Sequence, residues 1–281
     1  METCEFAKRV IAEDLGRGDL FEKCAFENCA ALSSADRRAI VKTKSEGIFA
    51  GLPYAEAIAK ELGVRLAAKV ADGEAIKKGD VLLELTGNAA RLLQIERALL
   101  NTLQHASGIA TNARAYAKEL AGGKTAVLDT RKTRPLLREF EKYAARIGGA
   151  KNHRLGLDDC LMIKDTHWAA IGAENLAAFV RTARRAIPWT SQIEVECETI
   201  AQVREAFAAG AEIVMCDNMS ADQVREVVAL RNEIAPSAKI EASGNITLEN
   251  IAKYAAAGVD AISAGAIIHH AVFLDFSMKM I

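Results

Sequence analysis

Residues 131–154 read RKTRPLLREFEKYAARIGGAKNHR and carry eight lysines or arginines against two acids, Glu139 and Glu141. The 281-residue chain has a formal net charge of -1. A local excess of that size calls for an anionic ligand or a solvated helix face. Arg138, Lys142 and Arg146 recur at i, i+4 and i+8 and read as one exposed helix face, opposite an apolar stripe of Leu136, Leu137, Phe140, Tyr143, Ala144 and Ile147. That helix is expected to start near Pro135 with Thr133 as its cap. Arg131 and Lys132 differ. They follow the strand-like run TAVLDT (125–130) and precede the expected helix N-terminus, where unpaired N–H groups favour anions.

Four further groups carry chemistry. Asn152-His153-Arg154 lies in the glycine-flanked loop GGAKNHRLG, where an arginine can grip a carboxylate in bidentate fashion. Lys164 ends the apolar run LMI, and an unpaired ammonium there would be costly, so it needs an anionic partner. Glu196 and Asp217 end two successive runs. They pair with Lys164 and Arg131 or help hold magnesium, a hard cation satisfied by one or two carboxylates plus phosphates. Ser243-Gly244-Asn245, and Gly265 with His269, have the composition of phosphate-binding loops. His269 and His270 are adjacent, which is poor zinc spacing, and Gly16-Arg17-Gly18 lacks the preceding strand of a dinucleotide fingerprint.

The elements that must position these residues alternate from about Thr125 onward. Six short apolar runs, at 125–130, 161–165, 192–198, 212–218, 239–245 and 260–266, are separated by helix-period segments. Thr199 with Gln202 and Ser220 with Gln223 fit capping boxes, and Thr247 precedes a further helix. Gly210 and Gly258 fit helix C-termini. This is a parallel α/β pattern. Every run ends in polar or small residues, which favours a barrel with one active mouth over an open sheet with a single switch point. Six strands, not eight, make it an incomplete barrel. The region before it reads as an α+β sandwich: antiparallel strands in RAIVKTKSEGIFAG and VRLAAKVADGEAIKKGDVLLELTG flank the helix PYAEAIAKELG. A helical stretch at 91–120, interrupted near Ser107-Gly108, joins the two. The expected domains are 1–107, with 270–281 packing back on it, and 108–269.

A near-neutral chain argues against a nucleic-acid binder. The N-terminus lacks an apolar signal region, and no run approaches a membrane span, so a cytoplasmic protein is expected. Cys4, Cys24, Cys29, Cys160, Cys197 and Cys216 show no CxxC spacing and read as buried free thiols.

The ordered motifs LDTRKTRPLLREFEKYAARIGG, KNHRLGLDD, LMIKDTH, IEVECET, CDNMS, EASGNIT and ISAGAIIHH resemble the quinolinate phosphoribosyltransferase family, over nearly the whole chain. The resemblance implies an N-terminal α/β sandwich and a C-terminal open α/β barrel. It implies transfer of phosphoribosyl from phosphoribosyl diphosphate to quinolinate, with decarboxylation and with magnesium. It implies a dimer or hexamer in which one subunit's N-terminal domain covers its partner's barrel mouth. Arg131, His153, Arg154 and Lys164 would bind the quinolinate carboxylates, with Arg97 reaching in from the neighbouring subunit. Lys132 would lie near the reacting sugar, and Glu196 and Asp217 would take the ribose hydroxyls and magnesium diphosphate. Ser243, Gly244, Gly265 and His269 would hold the 5-phosphate. The chain departs from the family at Asn245, where a second glycine is usual. A related pyrophosphorylase-like protein associated with molybdate transport, a lyase using Lys164 as a Schiff base, and a non-catalytic anion sensor are the competing readings.

Overall fold

A computed structural model describes residues 2–26 and 36–281, so Cys29 lies outside the described residues. The chain divides into two compact units: Met1–Arg114 with Pro135–Gly148 and His270–Ile281, and Ala115–Arg134 with Gly149–His269.

The first unit opens with helices α1 (Thr3–Leu15) and α2 (Leu20–Phe26). Its four-stranded antiparallel sheet has the order β12 (Phe276–Met280), β1 (Asp36–Thr43), β5 (Val81–Asn88), β3 (Arg65–Ala68). Ala39 and Val41 of β1 and Leu83 and Leu85 of β5 are fully buried at alternating positions, as a strand with one covered face requires. Strands β2 (Gly47–Ile48) and β4 (Ala75–Ile76) form a separate two-stranded ribbon. Helix α3 (Leu52–Glu61) covers the segment between them.

Helix α4 (Ala89–Glu119) runs without the expected interruption at Ser107-Gly108. These residues are small because neighbouring backbone comes close. The Ser107 hydroxyl accepts from the Ala50 N–H at 3.0 Å and donates to the Ala50 carbonyl at 3.2 Å. A Cβ on Gly108 would lie 2.9 Å from the Val272 carbonyl carbon.

Helix α5 (Arg138–Gly148) departs from expectation in two ways. It begins three residues after Pro135, because Leu136 adopts φ 64 and breaks the helical run while its side chain stays exposed. Its polar face is also not solvated as a whole: Lys142 is 0% exposed, Arg138 is half-buried, and only Arg146 of the three basic residues is exposed. The cause is the packing around it. Phe140 stacks on Phe6 with centroids 5.0 Å apart and meets Tyr54 edge-on at 4.9 Å, while Gly148 sits against Ala110 and Ala113. The buried face of α5 is therefore wider than its apolar stripe and takes in Glu141 and Lys142, both 0% exposed.

The second unit contains six parallel strands: β6 (Ala126–Leu128), β7 (Leu161–Ile163), β8 (Ile193–Cys197), β9 (Ile213–Asp217), β10 (Lys239–Ser243) and β11 (Ala261–Ser263). Their order is β6-β11-β10-β9-β8-β7. The first strand pairs with the last and not with the second, which is the cyclic order of a barrel opened between strands one and two. The Leu128–Lys151 bridge partly covers that opening.

Helices α6 (Asp165–Ile171), α7 (Leu176–Ala186), α8 (Ile200–Ala209), α9 (Ala221–Ile234) and α10 (Ile251–Ala256) connect the later strands, and α11 (Ala266–His269) follows the last of them. Both capping boxes are present: the Thr199 and Ser220 hydroxyls accept from the N–H groups of Gln202 and Gln223 at 3.2 and 3.3 Å. Thr247 does not cap α10, which begins at Ile251. Cys197 and Cys216 are buried, Cys160 is half-buried, and Cys4 and Cys24 are exposed on the short first helices, contrary to the expectation that all the thiols are buried. No described helix is long and apolar enough to cross a membrane.

Candidate active site

The C-terminal ends of the parallel strands surround a cavity of about 500 Å³. Arg131 and Lys132 enter from the segment after β6, Lys164 from the end of β7, Glu196 from β8 and Asp217 from β9. Ser243 and Ser263 are the last residues of β10 and β11 and also line it, with Met162 and Met215 among the apolar contributors. His153 and Arg154 complete the wall. Arg131 and Lys132 do not act with a helix N-terminus as expected, because α5 starts six residues beyond Lys132. Their place in the cavity comes from the strand end alone.

Opposite charges are matched inside the mouth. The Lys164 ammonium forms an ion pair with the Glu196 carboxylate, whose side chain is only 10% exposed against 39% for the lysine. Trp168 donates its ring N–H to the Glu196 carbonyl at 3.0 Å, fixing the backbone beneath the carboxylate. The Lys164 N–H donates to His167 Nδ1 at 3.0 Å, which anchors the start of α6. The Asp217 carboxylate accepts from the Asn218 amide at 2.6 Å. Asn218 Oδ1 in turn accepts from the Asn245 amide at 2.9 Å. Asn218 and Asn245 adopt φ 54 and φ 50, the left-handed region that asparagine tolerates better than other side-chain-bearing residues. Asn245 thus keeps the turn and adds a link from the β10 loop to Asp217.

Gly265 allows a close approach: a Cβ there would lie 2.8 Å from Lys132 Cδ and 3.0 Å from His269 Nε2. His269 and Lys132 therefore flank the same backbone position. Gly244 (φ 88) borders Asn218 in the same way. Arg97 belongs to the first unit, is 56% exposed and lies 3.8 Å from Glu96; it does not line this cavity.

Three buried acids were not singled out from the sequence. Asp129, fully buried, accepts from the Asn152 amide at 2.6 Å and from the His153 N–H at 2.8 Å. Glu194 and Glu241 face His153 inside the barrel, their carboxylates 3.4 and 3.3 Å from Nε2. Burial disfavours the imidazolium, but these carboxylates outweigh it and push the His153 pKa up to about 10. Burial likewise raises the Glu194 pKa. A signal for the two glutamates existed: each interrupts an otherwise apolar parallel strand, QIEVEC and KIEAS.

The donor set suits an anionic substrate of high charge. Cationic side chains converge from β6, β7 and the 153–154 loop, and two oxygen-donor carboxylates sit on the adjacent strands β8 and β9. Such carboxylates fit a magnesium ion held mainly by water and phosphate oxygens.

Comparison with known proteins gives a consistent result. The profile of the quinolinate phosphoribosyl transferase C-terminal domain matches residues 109–279, and that of the N-terminal domain matches residues 24–107. A probable nicotinate-nucleotide pyrophosphorylase [carboxylating] of Bacillus subtilis is 43% identical over 276 residues, covering 95% of this chain and 90% of its own. The protein of the same name from Synechocystis is 41% identical over 273 residues, covering 96% and 90%. The crystal structure of nicotinate-nucleotide pyrophosphorylase from Ehrlichia chaffeensis superposes with a TM-score of 0.90 at 30% identity, covering 100% of this chain and 99% of that one.

Proposed function

This chain belongs to the quinolinate phosphoribosyl transferase family, and we propose that its barrel mouth carries out the nicotinate-nucleotide pyrophosphorylase (carboxylating) reaction of de novo NAD biosynthesis. Quinolinate and phosphoribosyl diphosphate give nicotinate mononucleotide, diphosphate and carbon dioxide. The observation that carries the residue assignment is the pairing of a cationic wall (Arg131, Lys132, Arg154, Lys164) with the carboxylates of Glu196 and Asp217 around one cavity.

The chemistry follows from that charge layout. A dicarboxylate and a sugar carrying phosphate and diphosphate repel one another in water. Arg131, Arg154 and Lys164 offset the charge of the two carboxylates and hold the pyridine ring, and His153 lines the same wall. Lys132 stands beside the reacting sugar. Ser243, Gly244, Gly265 and His269 hold the 5-phosphate, partly through backbone N–H groups.

The pyridine nitrogen attacks the anomeric carbon as its bond to diphosphate breaks. Glu196 and Asp217 face the positive charge that grows on the ribose and hold its hydroxyls. Bound magnesium would neutralise the leaving diphosphate, with Glu196 and Asp217 as its protein-side oxygen donors. No protein nucleophile is needed, because the ring nitrogen already has the lone pair. Once alkylated, the ring nitrogen carries a positive charge that stabilises the electron pair left on the adjacent ring carbon when its carboxylate departs as carbon dioxide, and that pair then takes up a proton.

The test is direct. Folded protein supplied with quinolinate, phosphoribosyl diphosphate and magnesium should form nicotinate mononucleotide and carbon dioxide in equal amounts. Chelation should stop turnover and added magnesium restore it. Absence of product throughout pH 6 to 9 would overturn the assignment.

We propose that the working form is a cytoplasmic homo-oligomer, a dimer or a hexamer. Arg97, exposed on the first unit, serves the mouth of a neighbouring subunit. Inactive Arg97→Ala and Lys164→Ala chains, dissociated and mixed, should regain about a quarter of wild-type activity, the share of random dimer sites that are intact. Mixed dimers that form yet stay inactive would show that Arg97 does not act across an interface.

A further inference from the structure

We propose that Glu194 and Glu241 are positioning residues for the carboxylate-binding wall: they hold the His153 ring inside the barrel, and through it set the place of Arg154. The proposal rests on the reading of the mouth as the quinolinate site and extends it to two residues that do not line that cavity.

Glu194 is 0% and Glu241 3% exposed, each on a strand that otherwise buries apolar side chains. Two adjacent buried carboxylates lose their hydration, which is unfavourable unless a partner offsets it. The partner is His153. Its Nε2 lies between the two, 3.4 Å from Glu194 Oε1 and 3.3 Å from Glu241 Oε2. Its Nδ1 accepts the Arg154 N–H at 2.7 Å. Nδ1 is engaged by the Arg154 backbone N–H, and Nε2 stands at ion-pair distance from both carboxylates. The Arg154 guanidinium is tied in turn to the Cys160 carbonyl at 3.0 Å. From the other side, Asp129 holds the His153 N–H at 2.8 Å. A loop that follows two glycines is thus pinned from the barrel interior, and Arg154 gains a fixed origin from which to meet an anion.

The same three side chains place ligand-type atoms within 4.8 Å of one another, as a metal site would. The protonation of the ring argues against a metal. The two carboxylates that face Nε2 favour a proton there, and a protonated Nε2 has no lone pair to offer. The cluster is a proton-linked clamp. It also separates two spaces, because His153 and Arg154 line both the mouth and a second cavity of about 320 Å³ on the side of Glu194 and Glu241.

The test compares Glu194→Gln, Glu241→Gln and His153→Ala with the wild-type enzyme, each substrate varied separately. Loss of the clamp should raise the KM for quinolinate about tenfold, the size typical of outer-sphere positioning residues. The KM for phosphoribosyl diphosphate should stay within about twofold. The Glu241→Gln and His153→Ala effects should not add in the double variant, because they act through one ring. A purely structural role would lower the melting temperature and move both KM values together.

If a glutamine variant does not fold, Glu241→Asp keeps the charge and withdraws it by one methylene, and should give a smaller rise of the same kind. An unchanged quinolinate KM in both glutamate variants, or full additivity with His153→Ala, overturns the proposal. So does stoichiometric zinc binding that His153→Ala abolishes, which would mean the ring presents a lone pair. Arg154→Ala separates the two levels. If it leaves quinolinate KM unchanged, the reading of the mouth fails; if it raises KM while the glutamate variants do not, only the clamp fails.

Discussion

Lys164→Ala lowers kcat/KM by about 10²- to 10³-fold, equivalent to roughly 3–4 kcal/mol of lost transition-state stabilisation. Two losses combine. The ammonium proposed to face the substrate carboxylate disappears, and Glu196, 10% exposed, loses the cation with which it is paired. A stranded carboxylate beside an incoming dianion repels it, so the defect should appear in quinolinate binding and in turnover together. The lysine is 39% exposed, which screens part of the effect and keeps it below the upper end of measured charge-pair truncations. Lys164→Arg is the informative companion. It keeps the charge but cannot form an imine, so partial activity supports an electrostatic role and excludes Schiff-base chemistry. Adding Glu196→Gln to Lys164→Ala should cost less than the sum of the two single changes. Steady-state kinetics with each substrate varied decide the matter. A Lys164→Ala enzyme within threefold of wild type would remove Lys164 from the site.

The barrel was legible because the polar ends of its strands are local features. Each of the six runs carries its own β-branched core and its own terminal Lys, Glu, Asp or Ser, and parallel order then brings those ends to one mouth. The reading of α5 failed for the complementary reason. Lys142 sits at a solvent position on a single-stripe helix, and only the packing of Phe140 on Phe6 and of Gly148 on Ala110 reveals that the helix is enclosed. Periodicity reports one buried face; a second is set by distant residues. Ser107-Gly108 misled in the same way, since small residues mark close backbone approach as well as helix breaks. The Glu194–His153–Glu241 cluster needed register. Glu194 and Glu196 differ by two residues and so share a strand face, one deeper in the barrel than the other. Their division into an inner clamp and a mouth carboxylate depends on where the 152–154 loop crosses.

Gly244→Ala should be severely damaging to activity for a change of a single methyl group. Two costs coincide at this residue. Its φ of 88 lies in a region that costs a residue with a side chain about 1–2 kcal/mol. Its Cβ would also stand 2.6 Å from the Asn218 backbone nitrogen. That nitrogen donates to the Ser243 carbonyl at 3.0 Å, the last bond joining the ends of β9 and β10. The loop can accept a methyl group only by moving away from Asn218. Moving it breaks that bond and the chain of amides from Asn245 through Asn218 to Asp217. The proposed 5-phosphate cradle and the placement of the Asp217 carboxylate are then lost together. The expected result is a fall of about 10²-fold in kcat/KM for phosphoribosyl diphosphate, in line with the loss of preorganised charge-stabilising groups. The melting temperature should drop by about 3–8 °C. Binding of quinolinate alone should survive, since Arg131, Arg154 and Lys164 stand on other elements. Asn245→Gly is the control. It relieves the left-handed strain at φ 50, introduces no clash and removes one amide link, so its effect should stay near 1 kcal/mol. Equal effects of the two substitutions would mean that the loop's geometry matters less than its hydrogen bonds. A Gly244→Ala enzyme with wild-type kinetics would show that the 5-phosphate is held elsewhere.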